Sequence, residues 1–348
     1  MQIAPLSTWN GLTPQWIGVD GRHWLSRGPE IYRAEGLGET ARHLATVPDG
    51  GWKRRVWRLP LAERLLRYSV YNLIPRSDGS LFVSFDRGLW IWDGDWHQVT
   101  GLARACRVLR GCVAKTPDGA IWFGEYFPNR DRSAAVHICT LPAGEKRARI
   151  VHTFAAGEVR HVHGVHWDPV AGELWSLTGD LPGECRVQRS PDGFATLHMV
   201  GTGDESWRGI YPIFAERAVY YATDAEFAAN HIYRIDRASW RRDAVGEIDG
   251  PSYYAAGLGT AALFATTAEL CPSQKTPTAV LWAVTDGAEP RSIASWRKDL
   301  FASRKLTTLF QAGIVQFPST EGEIDALPFT GTGLTGLNGR MFVLRAAE

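Results

Sequence analysis

"HGVHWDPVAGELWSLTGD" (163–180) decides the fold. It reads as a short apolar run, a polar turn, a second apolar run and a closing acid. The turn is built for a tight reversal, because Gly tolerates positive φ and Asp bonds its own backbone. The same form returns in "SVYNLIPRSDGSLFVSFD" (69–86) and "RGCVAKTPDGAIWFGEY" (110–126). Weaker copies are "RGIYPIFAERAVYYATD" (208–224) and "YYAAGLGTAALFATTAE" (253–269). A worn copy is "TLFQAGIVQFPSTEGE" (308–323), and "PQWIGVDGRHWLSRGPE" (14–30) supplies the first. Seven units spaced roughly 40–57 residues apart match the period of propeller blades.

Each unit reads as strand, tight turn, strand. Further strands follow in the better copies, as in "ECRVQRSPDG" and "ATLHMVG", then "NHIYRIDRAS" and "RRDAVGEI". Four strands per repeat make one blade. Runs such as "AIWFG" and "AVYYA" are apolar on both faces, as expected of sheets sandwiched between neighbours. Only "LAERLLRYS" (61–69) has a helical pattern, with Leu61, Leu65 and Leu66 on one side. The expectation is an all-β fold, one β-propeller domain over 1–348 with seven four-stranded blades and a short helical insertion near 61–69. Six blades plus an N-terminal extension is the alternative count. The first unit can supply all four of its own strands.

The remaining composition bounds the function. Hydrophobic residues make up 45% and charged residues 22% of the 348, with a formal net charge of +1. Neither a nucleic-acid footprint nor a polybasic membrane contact is expected. Fifteen tryptophans suit sheets packed face to face and sugar-binding surfaces. The opening "MQIAPLSTWNGL" lacks the basic and apolar regions of a signal peptide. Cys106, Cys112, Cys139, Cys185 and Cys271 form no CxxC pair, so reduced thiols and a cytoplasmic location are expected.

In a propeller the first strand of each blade lines the channel and the second runs back. The start of the first and the end of the second therefore share one rim. His161 and His163 open an inner strand, two residues apart and on one face. Asp180 ends the strand beside it. His166 has the other parity and is expected to be packed and hydrogen-bonded. Overlaying the repeats matches His163 with Arg110, Arg208 and approximately Tyr253, with Tyr68 and Tyr71 nearby. The position of Asp180 matches Asp86, Glu125, Asp224 and Glu269. Cationic, imidazole and phenol groups thus gather on inner strands, with carboxylates on second strands. An acid after a strand also caps a turn, so each carboxylate has an ordinary structural explanation as well.

The stretch "RSPDGFATLHMV" (189–200) resembles the Asp-box of sialidase-like (BNR-repeat) propellers, Ser-x-Asp-x-Gly-x-Thr-Trp. Ser190, Asp192 and Thr196 fit, whereas Phe194 stands at the glycine and Leu197 at the tryptophan. The box is a structural device and speaks for fold. The pattern "RHVHGV…DP…LW..TGD" within 110–270 is similar to bacterial sialidase-like proteins associated with polysaccharide handling. A sialidase resemblance implies arginines on the substrate carboxylate, for which Arg110, Arg208 and Arg160 are the candidates. It also implies a Tyr–Glu nucleophile, for which Tyr253 or Tyr254 is the candidate. The order of these residues departs from the sialidase order, and a histidine pair is not part of it. Propeller polysaccharide lyases are the second comparison, with His and Tyr as base and acid on uronic acids; His163, Tyr253 and Arg208 are the matching types.

Both comparisons place guanidinium groups on a carboxylated sugar, which the arginine fork binds bidentately. The expected partner is an acidic oligo- or polysaccharide. As a lyase, His163 or His161 removes the proton beside the neutralised carboxylate and Tyr253 protonates the leaving oxygen. As a hydrolase, two of Glu125, Asp180 and Asp224 serve as acid and base. Arg110, Arg208, Arg160, Asp224 and Tyr71 are the substrate-binding candidates. His161-x-His163, with Glu125 or Asp180, is a third reading, a divalent metal site. The glycine-rich "GTGDESWRG" (201–209) and "TGTGLTGLNG" (330–339) do not join a strand to a helix and are not phosphate loops. A non-catalytic propeller that binds a glycan or protein on the same rim is the alternative function.

Overall fold

The computed structural model describes residues 1–48, 51–59, 61–299, 303, 305 and 309–346. Seven antiparallel sheets follow one another along the chain. Blade 1 is Thr13–Ile17, His23–Arg27, Glu30–Ala34 and Arg42–Thr46. Blade 2 is Val70–Pro75, Leu81–Phe85, Gly88–Trp92 and Trp96–Gln98. Blade 3 is Val113–Lys115, Ile121–Gly124, Val136–Leu141 and Arg149–Phe154. Blade 4 is Val162–Asp168, Glu173–Thr178, Cys185–Ser190 and His198–Gly203. Blade 5 is Gly209–Phe214, Ala218–Thr223, Asn230–Asp236 and Arg242–Ile248. Blade 6 is Ser252–Leu258, Ala261–Thr266, Thr278–Val284 and Arg291–Arg297. Blade 7 is Ile314–Gln316, Ala326–Thr332 and Phe342–Arg345, completed by Gln2–Pro5. The architecture is the expected seven-bladed, four-stranded propeller. Residue 308, which opens the seventh repeat, lies outside the described residues.

The last blade closes the ring with the first strand of the chain. Gln2 pairs with Arg345 and Pro5 with Phe342. The seam is extended by Leu6 N–H to the Met341 carbonyl (2.8 Å) and Met341 N–H to Asn10 Oδ1 (2.9 Å). Blade 1 accordingly owns four strands of its own, and Ser319–Thr320 adds a short parallel strand beside Trp16–Ile17.

Turn chemistry explains the hairpins. In 76–80 and 116–120, Asp78 and Asp118 accept the backbone N–H two residues on, and Gly79 and Gly119 both have φ of 83°. Second strands are buried on both faces: Leu81–Phe85, Glu173–Thr178, Ala218–Thr223 and Ala261–Thr266 have no exposed residue. That burial between neighbouring sheets is the main source of stability. The Asp-box-like turn of blade 4 is formed, with Ser190 Oγ on Asp192 and Thr196 Oγ1 donating to Asp192 Oδ2 at 2.7 Å. Phe194, at the glycine position, has φ of 69° and is buried against Trp122 of blade 3.

The insertion between blades 1 and 2 holds two short helices, Lys53–Val56 and Ala62–Leu66. Only the second lies within the stretch whose pattern is helical in sequence.

Candidate functional site

β-Bulges shape one rim. Register shifts fall at the start of the inner strand in five blades: Pro14/Trp16, Val70/Asn72, Val162/Gly164, Gly209/Pro212 and Ser252/Tyr254. A bulge leaves a residue out of the ladder and re-aims its side chain. Tyr71, His163 and Tyr253 are such residues.

Asp180 is the centre of the site. It follows the second strand of blade 4, after Gly179 at φ of 76°. Its Oδ1 lies 3.2 Å from His161 Nε2, 3.0 Å from His163 Nε2 and 3.3 Å from Arg208 Nη2. Its Oδ2 accepts from Arg160 Nη1. Arg208 reaches on to Asp224, with Nε and Nη2 each 3.1 Å from Oδ2, and to Glu205 at 3.6 Å. From blade 6 the Tyr253 hydroxyl donates to Glu269 Oε2 at 2.6 Å. From blade 3 the Tyr126 ring lies over His161, with centroids 4.2 Å apart. The imidazoles and Asp180 are buried, while Tyr126, Arg160 and Tyr253 keep partial access to solvent.

The protonation states follow from this packing. Burial opposes ionisation of Asp180, yet the bonds from His161 and His163 outweigh it and hold the carboxyl far below its ordinary range. Burial pushes Asp224 up to about 7 although Arg208 pulls the other way, and Glu269 adds to the rise. Burial lowers His161 to about 4. Burial raises Tyr126 to about 12, aided by Asp180 and Asp224. Burial and then Glu269 raise Tyr253 well above the ordinary phenol range. Both tyrosines are therefore proton donors at neutral pH.

His163 poses a specific requirement. Its Nδ1 lies 3.1 Å from the Gly209 carbonyl, which can only accept. Its Nε2 faces the ionised Asp180, which also only accepts. A proton on each ring nitrogen satisfies both, and so does a metal ion between Nε2 and Oδ1. His161, His163 and Asp180 each place a donor atom within 4.8 Å of the others. Neighbouring donors around a divalent ion with bonds of about 2.1 Å stand about 3.0–3.4 Å apart, which matches the two measured spacings. The Gly209 carbonyl fixes the ring as outer partners of ligating histidines do. This buried set could hold a divalent cation, with Arg160 and Arg208 as the competing positive charges.

Three expected site residues are placed elsewhere. Glu125 is fully buried and bonds the His137 N–H (3.1 Å) and Nδ1 (2.8 Å), with Arg104 3.8 Å away. The reason is one step of alternation: Glu125 N–H still pairs with the His137 carbonyl, so its side chain stays between strands and Tyr126 takes the rim. Arg110 donates to the Val70 carbonyl at 2.8 Å and lies 5.9 Å over the Tyr71 ring. Arg110 and Tyr71 thus form a separate group with Tyr254, to which Arg110 is also bonded. His166 Nε2–H donates to the Ile210 carbonyl (2.9 Å), and the ring packs edge-on to Tyr211. It lines a cavity of about 930 Å³ with Trp16, Lys115 and Tyr211, at the turn-side mouth and away from Asp180. Asp86 stays on the rim, 3.1 Å from Lys53 and 3.2 Å from Arg107.

The sequence reading missed Tyr126 and Glu205. Tyr126 was signalled only by adjacency to Glu125. Glu205 accepts the N–H groups of Glu226, Phe227 and Ala228 and so fixes the loop after Asp224; nothing in its repeat position marks it.

No family model and no curated relative matches the chain. Solved structures do. A catalytically inactive virginiamycin B lyase from Staphylococcus aureus superposes with a TM-score of 0.62 at 13% identity, over 99% of both chains. An oligogalacturonate lyase in complex with manganese gives 0.58 at 12%, over 100% of this chain and 93% of that one. YCF48 bound to D1 peptide gives 0.57 at 10%, over 99% and 97%. At these identities the likeness is one of fold, shared by lyases and by a peptide-binding propeller alike.

Proposed function

We propose that the protein is a lyase acting on an acidic oligo- or polysaccharide at the rim built around Asp180. The observation that carries this is the convergence of Arg160 and Arg208 on one buried carboxylate, beside two imidazoles and a phenol. Arg160 pairs with Asp180 and keeps partial access to solvent, so its remaining guanidinium N–H groups suit a second carboxylate, that of a uronic acid. Arg160, the most open of the group, and Arg208 take the sugar carboxylate, which acidifies the neighbouring C–H. With Nε2–H donated to Asp180, neutral His161 presents Nδ1 as the proton acceptor. The C–H electron pair becomes the C=C bond, the C–O bond to the leaving sugar breaks, and Tyr253 protonates the departing oxygen. Solvent returns the proton to the tyrosinate. A divalent ion on His161, His163 and Asp180, when bound, adds positive charge for the same carboxylate; in that state His161 is a ligand. The manganese complex and the lyase activities of two structural neighbours support the reading.

The Tyr253–Glu269 bond favours a second reading, a sialidase-like glycosidase in which Glu269 activates Tyr253 as nucleophile. One experiment separates them. The protein is incubated with a panel of polyuronates and sialylated glycans, following the unsaturated-uronate absorbance and reducing ends together. Rising absorbance supports the lyase. Reducing ends without absorbance support the glycosidase. A flat record in both, across the panel, moves the protein to the non-catalytic glycan- or protein-binding propellers.

A further inference from the structure

The connection from blade 1 to blade 2 carries a patch that the site chemistry does not use. Its residues 52–58, "WKRRVWR", hold four cations and no acid. It runs from the outermost strand of one blade to the innermost strand of the next, so it lies on the rim where Asp180, Arg208 and Tyr253 stand. It is anchored at two points. Trp57 is buried on Gly28, where an added Cβ would meet the indole at 2.5 Å. Arg64 is buried, with an ion pair to Asp299 and a 3.0 Å bond to the Phe310 carbonyl. Ahead of these anchors in the chain, Trp52 is 64% exposed, and Arg54 and Arg55 face solvent with no ion pair among the described residues.

We propose that this lip is a docking surface for the extended chain of an acidic polysaccharide whose reacting sugar sits at Asp180, an inference that rests on the acidic-glycan reading of that site. Continuity supports it. Lys53 and Arg107 share Asp86, and Arg107 lies 5.9 Å over Tyr71. The Arg107 backbone pairs with Tyr126, whose ring covers His161. A track of cations and aromatic rings therefore runs from the lip to the site. Arg pairs with uronate carboxylates, and an exposed indole stacks on sugar faces. An anionic lipid surface is the less suited partner, because helices of four and five residues offer no continuous apolar face to embed.

The test compares the whole protein with an Arg54→Glu/Arg55→Glu variant. Binding to long polygalacturonate, polymannuronate and hyaluronate is measured by affinity electrophoresis at two salt concentrations. Binding to phosphatidylserine/phosphatidylcholine vesicles is measured by co-sedimentation. Turnover is measured on short oligouronates. The expected result is salt-sensitive binding of at least one long chain, weakened about tenfold or more in the variant, with melting temperature and short-substrate turnover unchanged. Equal binding by both proteins, or none by wild type, overturns the lip. Arginine-dependent binding to vesicles alone overturns it in favour of a membrane. Variant-sensitive chain binding without turnover keeps the lip and removes the lyase, so the two failures are distinct.

Discussion

His163 and Gly209 are joined across the junction of blades 4 and 5, with Nδ1 3.1 Å from the carbonyl oxygen. The same ring presents Nε2 to Asp180 at 3.0 Å. The carbonyl is thus a device that aims the other nitrogen. If a divalent ion lies there, manganese or zinc raises the melting temperature of wild type, since saturation at about a hundred times Kd is worth about 2.7 kcal/mol. His163→Asn keeps a donor near Gly209 but withdraws from Asp180, and is expected to lose the shift. An equal metal-induced shift in both proteins places the ion elsewhere, and no shift in wild type rules the ion out at His163.

Asp180 is the common anchor of two guanidiniums and two imidazoles. Asp180→Asn keeps the shape and removes the charge, which leaves Arg160 and the largely buried Arg208 facing a neutral amide. Removing one partner from a buried charge group costs about 3–5 kcal/mol. Denaturant unfolding should show a loss of that order together with loss of turnover. A loss under about 1 kcal/mol means that water already compensates these arginines.

Tyr253→Phe removes one hydroxyl and leaves the ring. Loss of a proton donor in the chemical step is expected to lower kcat about 10²–10⁴-fold. The melting temperature should move little, because the ring keeps its packing and only the bond to Glu269 is lost. A large melting change with proportionate loss of activity makes Tyr253 a structural residue.

Acid should weaken the fold from about pH 6.5 downward. Burial lowers His23, His161 and His166 to about 4 each, so between those limits the unfolded chain binds three protons that the native state refuses. Asp224, pushed up to about 7, has the opposite sign: the native carboxyl keeps a proton the unfolded chain has lost. Three against one leaves a net uptake of two on unfolding, so stability rises with pH across this window. Melting followed from pH 4 to 7 checks the slope. His23→Leu, which keeps an apolar contact with Trp9, leaves a net uptake of one and should flatten it by about half. A flat wild-type profile contradicts the buried neutral imidazoles.

The blades were legible because each must bury a second strand on both faces, and "AIWFG" or "AVYYA" records that demand directly. The rim was legible for the same reason, since repeated topology carries Asp180, Asp224 and Glu269 to equivalent places. The departures are local. The repeat overlay matches Glu125 with Asp180, but the strand pairs one residue further and delivers Tyr126 to the rim. Arg110 shares a repeat position with Arg208, yet the carbonyl left free near the blade 2 bulge captures it. The ring closure joins Gln2–Pro5 to the far end of the chain, which no local pattern encodes. A net charge of +1 likewise hides the concentration of cations at 52–58.

Phe194 tests the Asp-box-like turn itself. The residue sits where the box has glycine and keeps φ of 69°, a region that costs an L-residue roughly 1–2 kcal/mol. Its ring, 1% exposed and 6.1 Å from Trp122, offsets that strain by filling the seam between blades 3 and 4. Truncation should cost about 3–5 kcal/mol through the lost ring. The distinguishing comparison is between Phe194→Ala and Phe194→Gly. At ordinary buried positions alanine is the better replacement. Here glycine escapes the backbone strain and should be the more stable variant by about 1 kcal/mol in urea titrations. An alanine variant as stable as the glycine one means that this turn does not hold residue 194 in the left-handed region.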